Sequence, residues 1–133
     1  AKLHQVFRAE YTIASENINR DESNGYLLNT ELRYKPITQI EIKPSIAIYN
    51  TDSYDAAMWV LNSFANSTIQ IKSLYEKGIY AKINLSYSPF NRFLIYLQYA
   101  INYKPDNESI GSGYNKIENN YEQLLRFNIA WSL

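Results

Sequence analysis

His4 is the single histidine of the chain, and a Ser-His-acid relay would have to run through it, because a hydroxyl nucleophile needs a base such as imidazole to take its proton. A lone histidine at the start of an alternating segment reads first as a rim or interior side chain. There is no cysteine, so thiolate metal sites and disulfides are excluded, and one imidazole is too little for a zinc centre. The stretch Asp106-Asn107-Glu108-Ser109-Ile110-Gly111-Ser112-Gly113 offers oxygen ligands of the kind Ca²⁺ takes, but its spacing departs from an EF-hand loop. Gly111-Ser112-Gly113 is no phosphate loop either, since no Lys-Ser or Lys-Thr follows it. Glu10 and Glu31 could pair for acid/base work, yet Arg8 and Arg33 stand two residues from them and favour structural ion pairing. These residues call for no catalytic group, no cofactor and no metal, and for a protein that is not an enzyme.

The remaining polar chemistry is ionic. Lys plus Arg and Asp plus Glu are 13 each, a balance that argues against a nucleic-acid partner, which would need a basic excess. The charges recur with both signs: Arg8 and Glu10, Glu31 and Arg33, Glu41 and Lys43, then Lys82 and Arg126. Paired across neighbouring strands, they would form a charge ladder filling a narrow lumen.

Period-two alternation positions them. In 124–133, Leu125, Phe127, Ile129, Trp131 and Leu133 oppose Arg126, Asn128, Ala130 and Ser132. In 92–103, Phe93, Ile95, Leu97, Tyr99, Ile101 and Tyr103 share a face. Segments 78–88, 39–49, 26–35 and 3–14 alternate likewise, with Lys82, Glu41 and Lys43, Glu31 and Arg33, and Arg8 and Glu10 on their polar faces. Two more strands are expected over 54–62 and 67–74 with a turn at 62–66, although Ala56-Ala57-Met58-Trp59-Val60-Leu61 alternates poorly and competes as a helix. Pro44, mid-strand, cannot donate to a ladder and requires a bulge or a gap. The thirteen tyrosines favour strands, and no run approaches 18 apolar residues, so no transmembrane helix is expected. The chain begins at Ala1 with no signal peptide, which reads as a mature or trimmed form.

Eight strands leave two sets of connections: tight ones at 34–38, 62–66 and 88–91, and others at 15–24, 50–53, 75–78 and 104–120, two of them long and polar. Tight turns alternating with longer loops is the outer-membrane barrel pattern, with the turns and both termini on the periplasmic side. Three features turn the apolar face toward lipid. It is almost free of charge over segments of roughly 10–12 residues, longer than the five or six of ordinary strands and enough to span a bilayer when tilted. Aromatics gather near strand ends, at Tyr11, Tyr26, Tyr34, Tyr87, Phe93, Tyr103 and Trp131, as in interfacial girdles. The opposite face carries the mixed charge. A soluble lipocalin-like barrel with an apolar interior also alternates and is one alternative. An outer-membrane hydrolase acting on lipid or peptide is another.

Three motifs carry a resemblance: Tyr75-Glu76-Lys77-Gly78 before a strand, Ser88-Pro89 after it, and Ile110-Gly111-Ser112-Gly113-Tyr114-Asn115-Lys116-Ile117-Glu118-Asn119-Asn120 before the last strand. Together with Arg8-Ala9-Glu10-Tyr11 and Leu32-Arg33-Tyr34-Lys35-Pro36, they resemble the C-terminal barrel region of large Bacteroidota outer-membrane proteins, some recognised through a helix-hairpin-helix segment. The resemblance covers most of the chain and implies location and fold, with no substrate or catalytic residue. Glu76 departs from it, standing where that family's turn has glycine. The last strand also resembles the signal read by the barrel assembly machinery, with Trp131 two residues before the final Leu133.

The expectation is thus an all-β, antiparallel, up-and-down transmembrane β-barrel of about eight strands over 1–133, or the C-terminal eight strands of a larger, porin-like barrel. Its partners would be outer-membrane lipid and other subunits of an outer-membrane complex. Eight strands alone would leave no open pore, because side chains fill so narrow an interior.

Overall fold

The computed structural model describes residues 1–15, 22–63, 69–111, 114 and 116–131. Among the described residues eight strands form: β1 (Lys2–Ser15), β2 (Glu22–Ile37), β3 (Ile40–Thr51), β4 (Met58–Ser63), β5 (Ile69–Leu74), β6 (Lys77–Tyr87), β7 (Phe93–Tyr103) and β8 (Tyr121–Trp131). Every pairing is antiparallel.

The chain does not run as one eight-strand meander. Six strands make a sheet in the order β1-β2-β3-β6-β7-β8, and β4-β5 form a separate hairpin. The expected β3–β4 and β5–β6 neighbours are replaced by β3–β6, a ladder running from Ile40↔Tyr87 to Asn50↔Lys77. Length explains the choice. β4 and β5 have six residues each and would leave half of the twelve-residue β3 without partners, whereas the eleven-residue β6 matches it.

The route out of β3 begins the detour. Residues 54–62, expected to be strand throughout, open with a 3-10 turn over Tyr54–Ala56. Ser53 Oγ caps it by accepting from Asp55 N at 3.2 Å, and Ala57 N donates to Tyr54 O at 2.9 Å. Ala56 and Ala57 are buried, and the turn packs so closely on β2 that a Cβ at Gly25 would stand 2.8 Å from Ala56 O. Of the turn expected at 62–66, Asn62 and Ser63 belong to β4, and the rest lies outside the described residues.

Pro44 pairs with Ile83 inside an unbroken β3–β6 ladder. On its other side the β2–β3 ladder pairs Glu31 with Ser45 and resumes at Tyr34 with Ile42, followed by a register shift before Ile37. The interruption spans the stretch opposite the residue that has no N–H to give.

The hairpin covers one face of the sheet. Met58, Val60 and Leu74 pack with Leu27, Ala47, Tyr49, Tyr80 and Ala100 into the buried cluster. Trp59, Leu61 and Ile71 point away from it and are 50–62% exposed. With apolar residues on both faces, β4 shows no clean alternation in sequence.

Candidate functional site

The ladders line residues up in rows across the sheet, and each row keeps to one face. One covered-face row is Arg8–Asn29–Ala47–Tyr80–Asn102–Glu122. All eight residues expected in a charge ladder lie on this face: Arg8, Glu10, Glu31, Arg33, Glu41, Lys43, Lys82 and Arg126. Their partners differ from a simple cross-strand ladder. Arg8 binds Glu10 on its own strand. Glu41 collects three cations, with Lys35 at 2.9 Å, Lys43 at 3.1 Å and Arg33 at 3.3 Å. Arg8, Lys82 and Arg126 instead fasten the hairpin: Arg8 Nη1 donates to Trp59 O at 3.2 Å, Lys82 Nζ to Leu61 O at 3.0 Å, and Arg126 Nη2 to Gln70 Oε1.

Three further groups were not foreseen. Lys72 of the hairpin binds Glu122, which also accepts from Asn102 Nδ2 at 3.2 Å, and Asn102 Oδ1 accepts from Tyr49 at 2.6 Å. This chain runs from hairpin to sheet core. Gln98 Nε2 donates to Asn84 Oδ1 at 2.9 Å, both side chains being buried. The third group stands at the loop end. Lys104 is 2% exposed, its Nζ 2.8 Å from Glu76 Oε2 and 3.6 Å from the centroid of the Tyr75 ring. Asn107 Nδ2 also reaches Glu76 Oε2, at 2.7 Å, while Glu76 N donates to Thr51 Oγ1 at 2.8 Å. Partial burial pushes the Glu76 carboxyl up, but hydrogen bonds from Lys104 and Asn107 and the Lys104 charge outweigh it and hold it below the ordinary carboxylate value. Alternation marks Asn84, Gln98 and Asn102 as inward but cannot name their partners. The glycine expected at position 76 is the one sequence signal for the third group.

His4 stands exposed near the start of β1 and lines, with Lys2, Arg33 and Lys35, a cleft of about 870 Å³ at that end of the sheet. At the same end, the Glu41 carboxylate is committed to its three cations. In the loop weighed for Ca²⁺, Asp106 binds Lys77 at 3.0 Å and Asn107 binds Glu76.

The open face is the other half of the arrangement. Four successive rows span all six strands, from Ala9–Leu28–Ile48–Ile79–Tyr103–Tyr121 to Leu3–Tyr34–Ile42–Leu85–Leu97–Phe127. None of their residues is charged; Thr30, Gln123 and Gln5 are the polar members besides tyrosine. Aromatics border the lattice at both ends. Tyr11 pairs with Tyr26 and Tyr103 with Tyr121 at one end; Tyr34, Tyr87 and the Phe93↔Trp131 pair stand at the other. Phe90 packs with this last pair, ring centroids 5.3 Å from Phe93 and 6.3 Å from Trp131. Of the expected girdle residues, Tyr11, Tyr34, Tyr87, Tyr103 and Trp131 are exposed and Phe93 is half-buried. Tyr103 and Phe93 are ten residues apart on β7. At about 3.3 Å per residue and a tilt of about 35–45°, that separates the two belts by about 23–27 Å in projection, close to the height of a membrane apolar band.

The chain matches no described protein family, no curated protein and no solved structure.

Proposed function

We propose that this chain is a wall segment of a bacterial outer-membrane β-barrel with a structural, assembly or transport role, its open face against lipid and its covered face toward the lumen. The observation that carries the reading is the uncharged lattice bounded by aromatics at both ends. In water, Leu3, Phe7, Leu125 and Phe127, each more than 60% exposed, would form part of an apolar patch far larger than soluble monomers tolerate. A lipocalin-like binder needs its apolar side chains around a cavity, whereas here they lie opposite the buried cluster. The Bacteroidota assignment rests on the sequence resemblance and is part of the proposal.

The test is insertion. The chain should stay monodisperse only with detergent, and vesicles of lipids brominated near the headgroup should quench Trp131 more than vesicles brominated at the chain ends. A monodisperse, detergent-free protein whose tryptophans ignore the brominated lipids would overturn the reading.

A further inference from the structure

Among the described residues, β1 is paired only by β2 and β8 only by β7, so the sheet has two free edges of fourteen and eleven residues. Neither strand contains proline, and neither of their ladders contains a bulge. Soluble proteins blunt such edges. Hydrocarbon forbids them outright, because every unpaired backbone group there costs several kcal/mol.

The hairpin does not close this gap as wall. A sheet becomes a barrel only if its rows return displaced along the strands by a fixed stagger. Lys72 meets Glu122 and Arg8 meets Trp59 O, while Val60 pairs with Lys72, so the hairpin joins both ends of a single sheet row with almost no displacement. It lies inside the wall, with Trp59, Leu61 and Ile71 turned toward the space beyond.

We infer that the free edges pair with each other between copies of this chain, β8 of one beside β1 of the next, in a ring of three that makes an eighteen-stranded barrel with three hairpins in its lumen. The inference rests on the membrane reading above. Direction permits it: six alternating strands leave β1 and β8 antiparallel, so upright copies join antiparallel at every seam. Register permits it too. Setting Arg126 opposite Glu10 of the next copy places the eleven residues of β8 against 5–15 of β1, covered-face residues on covered-face ones, with Leu125 on Tyr11, Phe127 on Ala9 and Ile129 on Phe7 in the middle of the open face. Because Arg126 shares a row with His4, each copy then contributes a stagger of six residues over its six strands. With about 3.3 Å per residue and about 4.7 Å between strands, that stagger is a tilt of about 35°, within the range barrels use.

The number of copies follows from the hairpins. At this tilt twelve strands close at a radius of about 11 Å, and hairpins lying about 10 Å inside the wall would collide on the axis. Eighteen strands close at about 16 Å, leaving three hairpins about 11 Å apart, the spacing at which sheets pack. Trp59, Leu61 and Ile71 of each hairpin then face the other two.

The absence of native cysteine allows a direct test. Copies carrying Ala9→Cys are mixed in detergent with copies carrying Phe127→Cys, which this register sets opposite each other. Oxidation should yield the mixed disulfide, and mixing Ala9→Cys with Gln123→Cys, four residues out of register, should not. Native mass spectrometry should show three chains per particle. Arg126→Glu should cut the trimer fraction by about tenfold, through like charges at each seam, and Glu10→Arg added to it should restore the trimer. Monomers or dimers in vesicles, crosslinking at the wrong register, or no rescue would overturn the ring while leaving the membrane reading intact. A chain that never inserts would fail at the earlier step.

Discussion

Glu76 is the residue at which local backbone and tertiary chemistry pull apart. Its φ is 64°, in the left-handed region that favours glycine, yet its carboxylate holds buried Lys104 and Asn107. Glu76→Gly would relieve the backbone and orphan the lysine, whereas Glu76→Ala would keep the strain and lose the anchor. The alanine variant should therefore be the less stable of the two, with losses of about 1–2 kcal/mol against wild type, the exposed side of the carboxylate tempering the cost of a broken buried pair. Denaturant titration in micelles gives the order. The sign with pH follows from the lowered carboxyl: the pair contributes fully above the unfolded carboxylate value, and its contribution is lost as pH falls through the folded one. Wild type should approach Glu76→Gln in stability on acidification, and a constant gap would show that the pair does not titrate. Gly78 poses a simpler problem. A Cβ there would stand 2.3 Å from Tyr49 Oη and 2.8 Å from Tyr103 O. Gly78→Ala must displace the tyrosine that anchors Asn102, and a loss of about 2–3 kcal/mol is expected from overpacking against backbone. An unchanged melting temperature would mean that Tyr49 has somewhere else to go.

At the scale of elements, the sheet and the hairpin are held by different forces. Sheet strands share continuous ladders; β4 and β5 share one with each other and attach to the sheet through Met58, Val60, Leu74 and a few long polar side chains. Backbone amides of β4 and β5 should exchange with solvent faster than those of β3, β6 and β7, and Lys72→Glu should widen the difference. Equal protection throughout would mean that the hairpin has ladder partners beyond those described. This division also marks how far the sequence could be read. Strands β1, β2, β3, β6, β7 and β8 alternate plainly because one face is apolar and the other polar, and their inward charges follow from that parity. β4 hides because Trp59 and Val60, neighbours on opposite faces, are both apolar. The detour of the hairpin and the β3–β6 pairing depend on matched lengths between distant segments, which no local pattern encodes. The partners of Glu41, Tyr49 and Lys104 depend on register, and register is set only once the strands have paired.

For the whole molecule, the two faces set opposite demands, and a charge placed on the open face distinguishes between solvents. Ile83 lies in the third of the four uncharged rows, beside Pro44 and Tyr99, whereas Tyr87 lies at the aromatic border. Lipid makes the cost of arginine depend on depth: about 2–4 kcal/mol at the midplane of a barrel wall and about 0–1 kcal/mol near the interface. Refolding into vesicles should therefore lose about 2–4 kcal/mol for Ile83→Arg and little for Tyr87→Arg. Water makes no such distinction, and on a solvated sheet both arginines would be nearly neutral and would raise solubility together. Lys82, one position from Ile83 and on the covered face, provides the control. Its Nζ meets Leu61 O, so Lys82→Ile should loosen the hairpin and leave insertion into the bilayer intact. Depth dependence at 83 and 87 with no insertion defect at 82 is the result that a wall with one lipid face and one lumenal face must give; equal costs at 83 and 87 would mean that the open face does not meet a membrane.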